Sequence, residues 1–131
     1  MMFEDDETLR MYVEESLDHL SEIESDLLTI EEGGKDVDVD LVNNVFRAAH
    51  SIKGGAGFMG LTSIKELSHS LENVLGLIRN LELTPDPNKI SVLLKGFDQL
   101  EHLLNNVDTS NETDISDHLE ALEERSEERR V

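Results

Sequence analysis

His50 stands in the stretch Phe46-Arg47-Ala48-Ala49-His50-Ser51-Ile52-Lys53-Gly54-Gly55-Ala56-Gly57-Phe58-Met59-Gly60. An imidazole titrates near pH ~6.5, so its neutral form is well populated near neutral pH. Neutral imidazole attacks phosphorus through one ring nitrogen when the other holds the proton. Wound as a helix at ~100° per residue with His50 at 0°, the stretch puts Lys53 at about 300°, Gly54 at about 40° and Gly57 at about 340°. Leu41, Val42, Val45, Ala49, Ile52, Ala56 and Met59 gather on the sector centred near ~240°, a stripe for burial. His50 therefore lies beside the buried stripe with its ring directed outward. Each glycine costs a helix roughly 1 kcal/mol relative to alanine. Gly54 and Gly57 on this face read as space kept for something that approaches the histidine.

Such a nucleophile needs an acceptor to hold its other nitrogen, and Glu72 can supply one. With Leu71 at 0°, Ser68 falls near ~60°, Glu72 near ~100° and His69 near ~160° on the next helix. Glu72 thus lies on the flank, just outside the buried stripe, where a neighbouring antiparallel helix can bring it to His50. Accepting the Nδ1 proton would fix the tautomer, leave Nε2 as the nucleophile and stabilise positive charge on the ring. Lys53 offers a point charge to phosphoryl oxygens. Arg47 and Lys65 would make the same spot favourable for an anion. His69 is either a hydrogen-bonding neighbour of the site or an exposed side chain.

The elements that must position these residues are helices. Leu9, Tyr12, Val13, Ser16, Leu20, Ile23, Leu27 and Ile30 recur at three- and four-residue steps, predicting one long helix from about Asp5 to Glu31. Asp5 or Asp6 is expected to cap it and Gly33-Gly34 to end it. Asp38 is expected to cap a second helix over 39–57, followed by a tight connection through Gly57-Phe58-Met59-Gly60. Ser63 and Glu66 have the spacing of a capping box and open a third helix to about Leu83. Thr84-Pro85-Asp86-Pro87 breaks the chain, and a fourth helix is predicted from Pro87 to Val107. After a polar turn at Thr109 to Thr113, Ile115, Leu119 and Leu122 mark a short fifth helix. The charged stretch from Glu123 to Val131 is expected to fray. No stretch alternates with the period of a strand. The expected fold is all-α, an antiparallel up-down four-helix bundle with the short C-terminal helix as an appendage. One domain over 1–126 and a charged tail or linker over 127–131 complete the organisation.

Composition narrows the function. The formal charge of -19 argues against nucleic acid, whose phosphates need basic neutralisation, and against anionic membranes. A soluble acidic surface, or adaptation to high salt, accounts for it. There is no cysteine, hence no disulfide and no thiolate chemistry. No apolar run reaches the ~18 residues of a membrane span. The N-terminal residues lack the plan of a signal peptide, and the expected location is the cytoplasm. There is no glycine-rich nucleotide loop and no Mg²⁺ constellation.

The His-Ser-Ile-Lys-Gly-Gly core at 50–55 resembles the phosphoacceptor motif of histidine-containing phosphotransfer domains. The stretch Leu67-Ser68-His69-Ser70-Leu71-Glu72-Asn73-Val74-Leu75 resembles the N-terminal phosphotransfer domains of CheA-type chemotaxis histidine kinases, with His69 and Glu72 lying 19 and 22 residues beyond His50. The resemblance runs from residue 5 to about residue 126. It implies that His50 is phosphorylated at Nε2 by the ATP-binding domain of a longer kinase, in trans within a dimer. His50 then passes the group to an aspartate on response regulators of the CheY and CheB types. Glu72, Lys53 and His69 would form the supporting network and Gly54 would give access. The domain itself would bind no cofactor; ATP and Mg²⁺ would enter through its partners. On that reading the chain is a substrate and relay without its own ATP site.

Three rivals remain at this point. A stand-alone phosphorelay protein would carry the same site. A carboxylate-bridged metal bundle would need two Glu-x-x-His motifs, and the chain has Glu66-x-x-His69 alone. A purely structural bundle would leave the glycines beside His50 unexplained.

Overall fold

The computed structural model describes residues 7–129, and these are helical with no strand among the described residues. In chain order they form α1 (Glu7–Leu20), α2 (Ile23–Gly33), α3 (Val39–Met59), α4 (Thr62–Arg79), α5 (Pro87–Asn105), a 3-10 helix (Val107–Glu112) and α6 (Ser116–Ser126). The expected caps at Asp5 and Asp6 lie outside the described residues.

The single first helix expected over Asp5 to Glu31 is two helices. Ser21 turns its hydroxyl back onto the Asp18 carbonyl at 2.8 Å, offering the backbone a local partner that competes with the helical ladder. The chain resumes helix at Ile23, with the Asp26 N–H donating to the Glu22 carbonyl at 2.9 Å. The break costs no burial, because Leu20, Ile23, Leu27 and Ile30 all remain in the core. α2 then ends at Gly34, whose positive φ of 55° is a backbone conformation that glycine adopts without strain.

Asp38 caps α3 as expected, accepting the Leu41 N–H at 3.1 Å. α3 runs two residues past the expected end at 57, and the turn falls at Gly60, whose φ of 73° suits glycine. The Ser63–Glu66 capping box does not form: α4 begins at Thr62 with no side-chain cap from its own N-terminal residue. Its cap comes from the 3-10 helix instead. The Thr62 N–H donates to Asn111 Oδ1 at 2.8 Å, while Asn111 Nδ2 donates to the Gly60 carbonyl at 3.0 Å. One amide thus satisfies an orphan donor of α4 and the carbonyl of the preceding turn. α4 stops at Arg79, short of the expected Leu83, and Leu81 takes a positive φ of 62°. Asp86 caps α5 through the Lys89 N–H at 3.0 Å, with Pro87 in the first turn, where a missing N–H is harmless. α5 ends at Asn105 rather than Val107.

The expected stripes supply most of the core, although Tyr12, Val13, Leu41, Met59 and, on α5, Leu94 are only partly buried against it. Ile64, Leu67, Leu71, Val74, Leu75 and Ile78 of α4 are buried, as are Ile90, Leu93, Phe97, Leu100 and Leu104 of α5. α3 packs most extensively on α4, α4 also packs on α5, and α1 and α2 each pack on both α3 and α5, so the contacts close a ring around the apolar interior. α6 is not an appendage. It packs on α4 and α5, Leu122 is buried, and Gly96 leaves room where a Cβ would lie 3.6 Å from Leu122 and 2.8 Å from Leu71. The charged stretch from Glu123 does not fray at its start. It is helical to Ser126, and Glu128 is held by Lys89 and Arg125, each at 2.7 Å.

Two adjacent glycines of α3 differ in what they do. A Cβ at Gly54 meets nothing within 4 Å, whereas one at Gly55 would collide with the Tyr12 ring of α1. Tyr12 reaches past Gly55 to donate its hydroxyl to the Ile52 carbonyl at 2.7 Å. Burial pushes the Tyr12 phenol up to about 12, so it stays a donor. Gly55→Ala is therefore expected to destabilise by roughly 1–3 kcal/mol through overpacking, while Gly54→Ala stabilises by about 0.5–1 kcal/mol through helix propensity. Urea denaturation of the two variants side by side checks the contrast.

Candidate functional site

The site is built on the α3–α4 contact. Gly57 lies against Lys65, His50 against Glu72, Phe46 against Gly76 and Asn43 against Arg79. Each turn back along α3 meets a turn further along α4, so these two helices are antiparallel. That register is what brings a histidine and a glutamate from different helices into one site.

His50 presents its ring to solvent, its side chain 64% exposed, and its Nδ1 is hydrogen-bonded to Glu72 Oε2. Lys53, one turn further along α3, places its Nζ 2.6 Å from Glu72 Oε1. Both carboxylate oxygens are thus engaged by α3. Glu72 is 7% exposed, more deeply placed than the flank position expected from its wheel angle, because His50 and Lys53 close over it. Burial by itself would raise the Glu72 carboxyl, but the hydrogen bonds from Lys53 and His50 outweigh it and hold the group below its ordinary 4.5. An ionised carboxylate only accepts hydrogen bonds. Nδ1 must therefore carry the proton, and in the neutral ring the lone pair belongs to Nε2.

Gly54 is exposed and opens space on the His50 face. Gly57 looks toward α4, where a Cβ would touch the Lys65 side chain at 3.8 Å. His69 is exposed, one turn before Glu72, and is not among the residues that the hydrogen bonds of Glu72 join. Arg47 borders a hollow on the α1–α2 side of α3 with Asp18, Glu22 and Asp26, so acidic neighbours accompany it rather than Lys53. Among the described residues, no group of three or more His, Asp or Glu is arranged to hold a metal ion, and no helix is long and apolar enough to cross a membrane.

Two residues at the site were missed. Phe46 stacks on the imidazole with the ring planes 7° apart and the centroids 6.2 Å apart. Arg79 lays its guanidinium over the Phe46 ring at 4.1 Å. Phe46 precedes His50 by four residues, the spacing that puts two side chains on one helix face, so the sequence held a signal for it. Arg79 comes from the last turn of α4, and only the packing of α3 on α4 brings it there.

Comparison with known proteins agrees with this architecture. A model of the Hpt domain matches residues 7–125, and the chain belongs to that family of histidine phosphotransfer domains. It is 37% identical over 122 residues to the chemotaxis protein CheA of Rhizobium meliloti, an alignment that takes in 88% of this chain and 16% of that protein. The chain thus spans about one-sixth of the length of that relative. Among solved structures it resembles the solution structure of the histidine phosphotransfer domain of CheA, with a TM-score of 0.76 at 28% identity over 91% of each chain. It also resembles the phosphorylated P1 domain of CheA3, crystallised in complex with CheY6 from R. sphaeroides. There the TM-score is 0.78 at 23% identity, over 96% of this chain and 98% of that one, a likeness of fold.

Proposed function

We propose that this chain is the phosphotransfer domain of a CheA-type chemotaxis histidine kinase. His50 takes the γ-phosphoryl group of ATP from the ATP-binding domain of its parent kinase, in trans within a dimer. It passes the group to an aspartate on response regulators of the CheY and CheB types. The observation that carries this reading is the outward-facing His50 ring whose Nδ1 is held by the buried Glu72 carboxylate. The family and the likeness to the chemotaxis protein CheA of R. meliloti add to it.

In the first transfer the Nε2 lone pair attacks the γ-phosphorus. The N–P bond forms as the bond to the bridging oxygen breaks, and ADP leaves with that electron pair. The Nδ1 proton stays on the ring, whose positive charge Glu72 balances. In the second transfer a carboxylate oxygen of the regulator attacks phosphorus, the N–P bond breaks, and its electron pair returns to Nε2. Lys53 has donors beyond the one on Glu72 and attracts the phosphoryl oxygens as a point charge. By the resemblance of its α4 stretch to CheA-type domains, His69 belongs to the supporting network without bonding Glu72, and Gly54 and Gly57 keep the approach low. The domain needs no cofactor of its own; ATP and Mg²⁺ come with its partners. Its working unit is residues 1–126, an antiparallel up-down bundle with a short C-terminal helix, followed at 127–131 by a charged tail or the start of a linker, in the cytoplasm.

The test is a two-step transfer. Labelled ATP and a CheA-type kinase core should label the domain, and a response regulator with Mg²⁺ should then remove the label onto its own aspartate. A domain that never gains label, or that keeps it in the presence of an active regulator, contradicts the proposal.

A further inference from the structure

A single hydrogen bond at Nδ1 leaves an exposed imidazole free to tilt about that bond, and the Nε2 lone pair would sweep with it. The structure supplies a second restraint. Phe46, one turn earlier on α3, lies parallel to the ring at 6.2 Å between centroids, within the range of an offset stack. Phe46 is in turn held from α4. Arg79 covers its face at 4.1 Å, a cation–π distance. The α4 backbone at Gly76 lies along its edge, where a Cβ would be in ordinary van der Waals contact with Cε2 at 3.5 Å. Arg79 is itself anchored, donating from Nη1 to Asn43 Oδ1 of α3 at 3.3 Å.

We infer that Phe46 and Arg79 are positioning residues for phosphoryl transfer: the stack sets the plane of the His50 ring while Glu72 sets its tautomer, and together they aim Nε2. This rests on His50 being the phosphoacceptor. It adds that the direction of attack is fixed by an aromatic–guanidinium pair with no polar contact to the imidazole.

The experiment compares wild-type domain with Phe46→Leu, Phe46→Tyr and Arg79→Gln, using two donors. One is phosphoramidate, a small donor that needs no docking surface; the other is ATP with the kinase core. Misaimed reacting atoms cost rate rather than binding. Phe46→Leu should accept phosphate about tenfold more slowly from both donors, with the loss in kcat and KM for the kinase reaction unchanged. Phe46→Tyr, which keeps the stack, should restore the rate to within about twofold of wild type. Arg79→Gln should fall between. Side-chain couplings of His50 should report one ring orientation in wild type and averaging in Phe46→Leu. Wild-type rates from phosphoramidate in Phe46→Leu would overturn the inference, as would a defect confined to KM with the kinase. Should Phe46→Leu not fold, Arg79→Gln decides alone: an unchanged rate in that variant overturns the inference. Failure of the wild-type domain to be labelled at all would instead strike the phosphoacceptor reading.

Discussion

His50→Gln is expected to keep the helical fold and to lose all labelling from ATP and a kinase core. The fold should survive because the His50 side chain is 64% exposed and the core of α3 is made by other residues, Val42, Val45, Ala49, Ile52 and Ala56. Surface substitutions away from buried networks usually stay within about ±0.5 kcal/mol. This one also removes a partner of Glu72, so a further small loss is expected. Labelling should vanish because glutamine has no nitrogen lone pair able to attack phosphorus. Circular dichroism checks the fold and radiolabelling the chemistry. Persistent label on the variant would assign the phosphate to another residue.

Glu72→Gln is expected to slow phosphoryl acceptance by about 10²-fold or more, on the scale of a lost proton-positioning group. Glu72 receives two donors, the His50 ring and the Lys53 ammonium at 2.6 Å. A glutamine there has one accepting oxygen and one donating NH₂. If the oxygen keeps Lys53, the stronger, charged donor, the NH₂ faces Nδ1. That orientation favours the tautomer with the proton on Nε2, which has no lone pair left to attack. Ring ¹⁵N shifts should show the proton moving from Nδ1 to Nε2 in the variant. An unchanged rate and tautomer would mean that Glu72 does not orient the ring. The same residue sets a pH dependence. Its folded-state carboxyl lies below the ordinary 4.5, so the folded chain binds fewer protons than the unfolded one as pH falls. The stability it contributes is full above about pH 4.5 and is lost as pH drops through the folded value. Glu72→Gln should therefore flatten the acid side of the stability profile.

Much of the site was legible in the sequence because its parts lie on two strongly periodic helices. The α3 wheel puts His50 beside the buried stripe and Lys53 on the same side. The α4 wheel leaves Glu72 on a flank that an antiparallel neighbour can reach. What was not legible depends on partners far along the chain. The cap of α4 is Asn111, 49 residues beyond Thr62, so the local Ser63–Glu66 pattern misled. Nothing local distinguishes Gly55 from its neighbouring glycines, because the ring it clears belongs to Tyr12 of α1. The Arg79 contact needs the register of α3 on α4. The break at Ser21 was hidden because the apolar stripe continues through it in phase.

The claim on which the rest depends is that Glu72 holds Nδ1 and leaves Nε2 to receive the phosphoryl group. NMR of ¹⁵N-labelled domain after phosphorylation by the kinase core tests it most directly, through the coupling between ³¹P and the ring nitrogens of His50. Phosphorus coupled directly to Nε2, with the proton retained on Nδ1, is the result expected. Phosphorus on Nδ1, or on any residue other than His50, would contradict it.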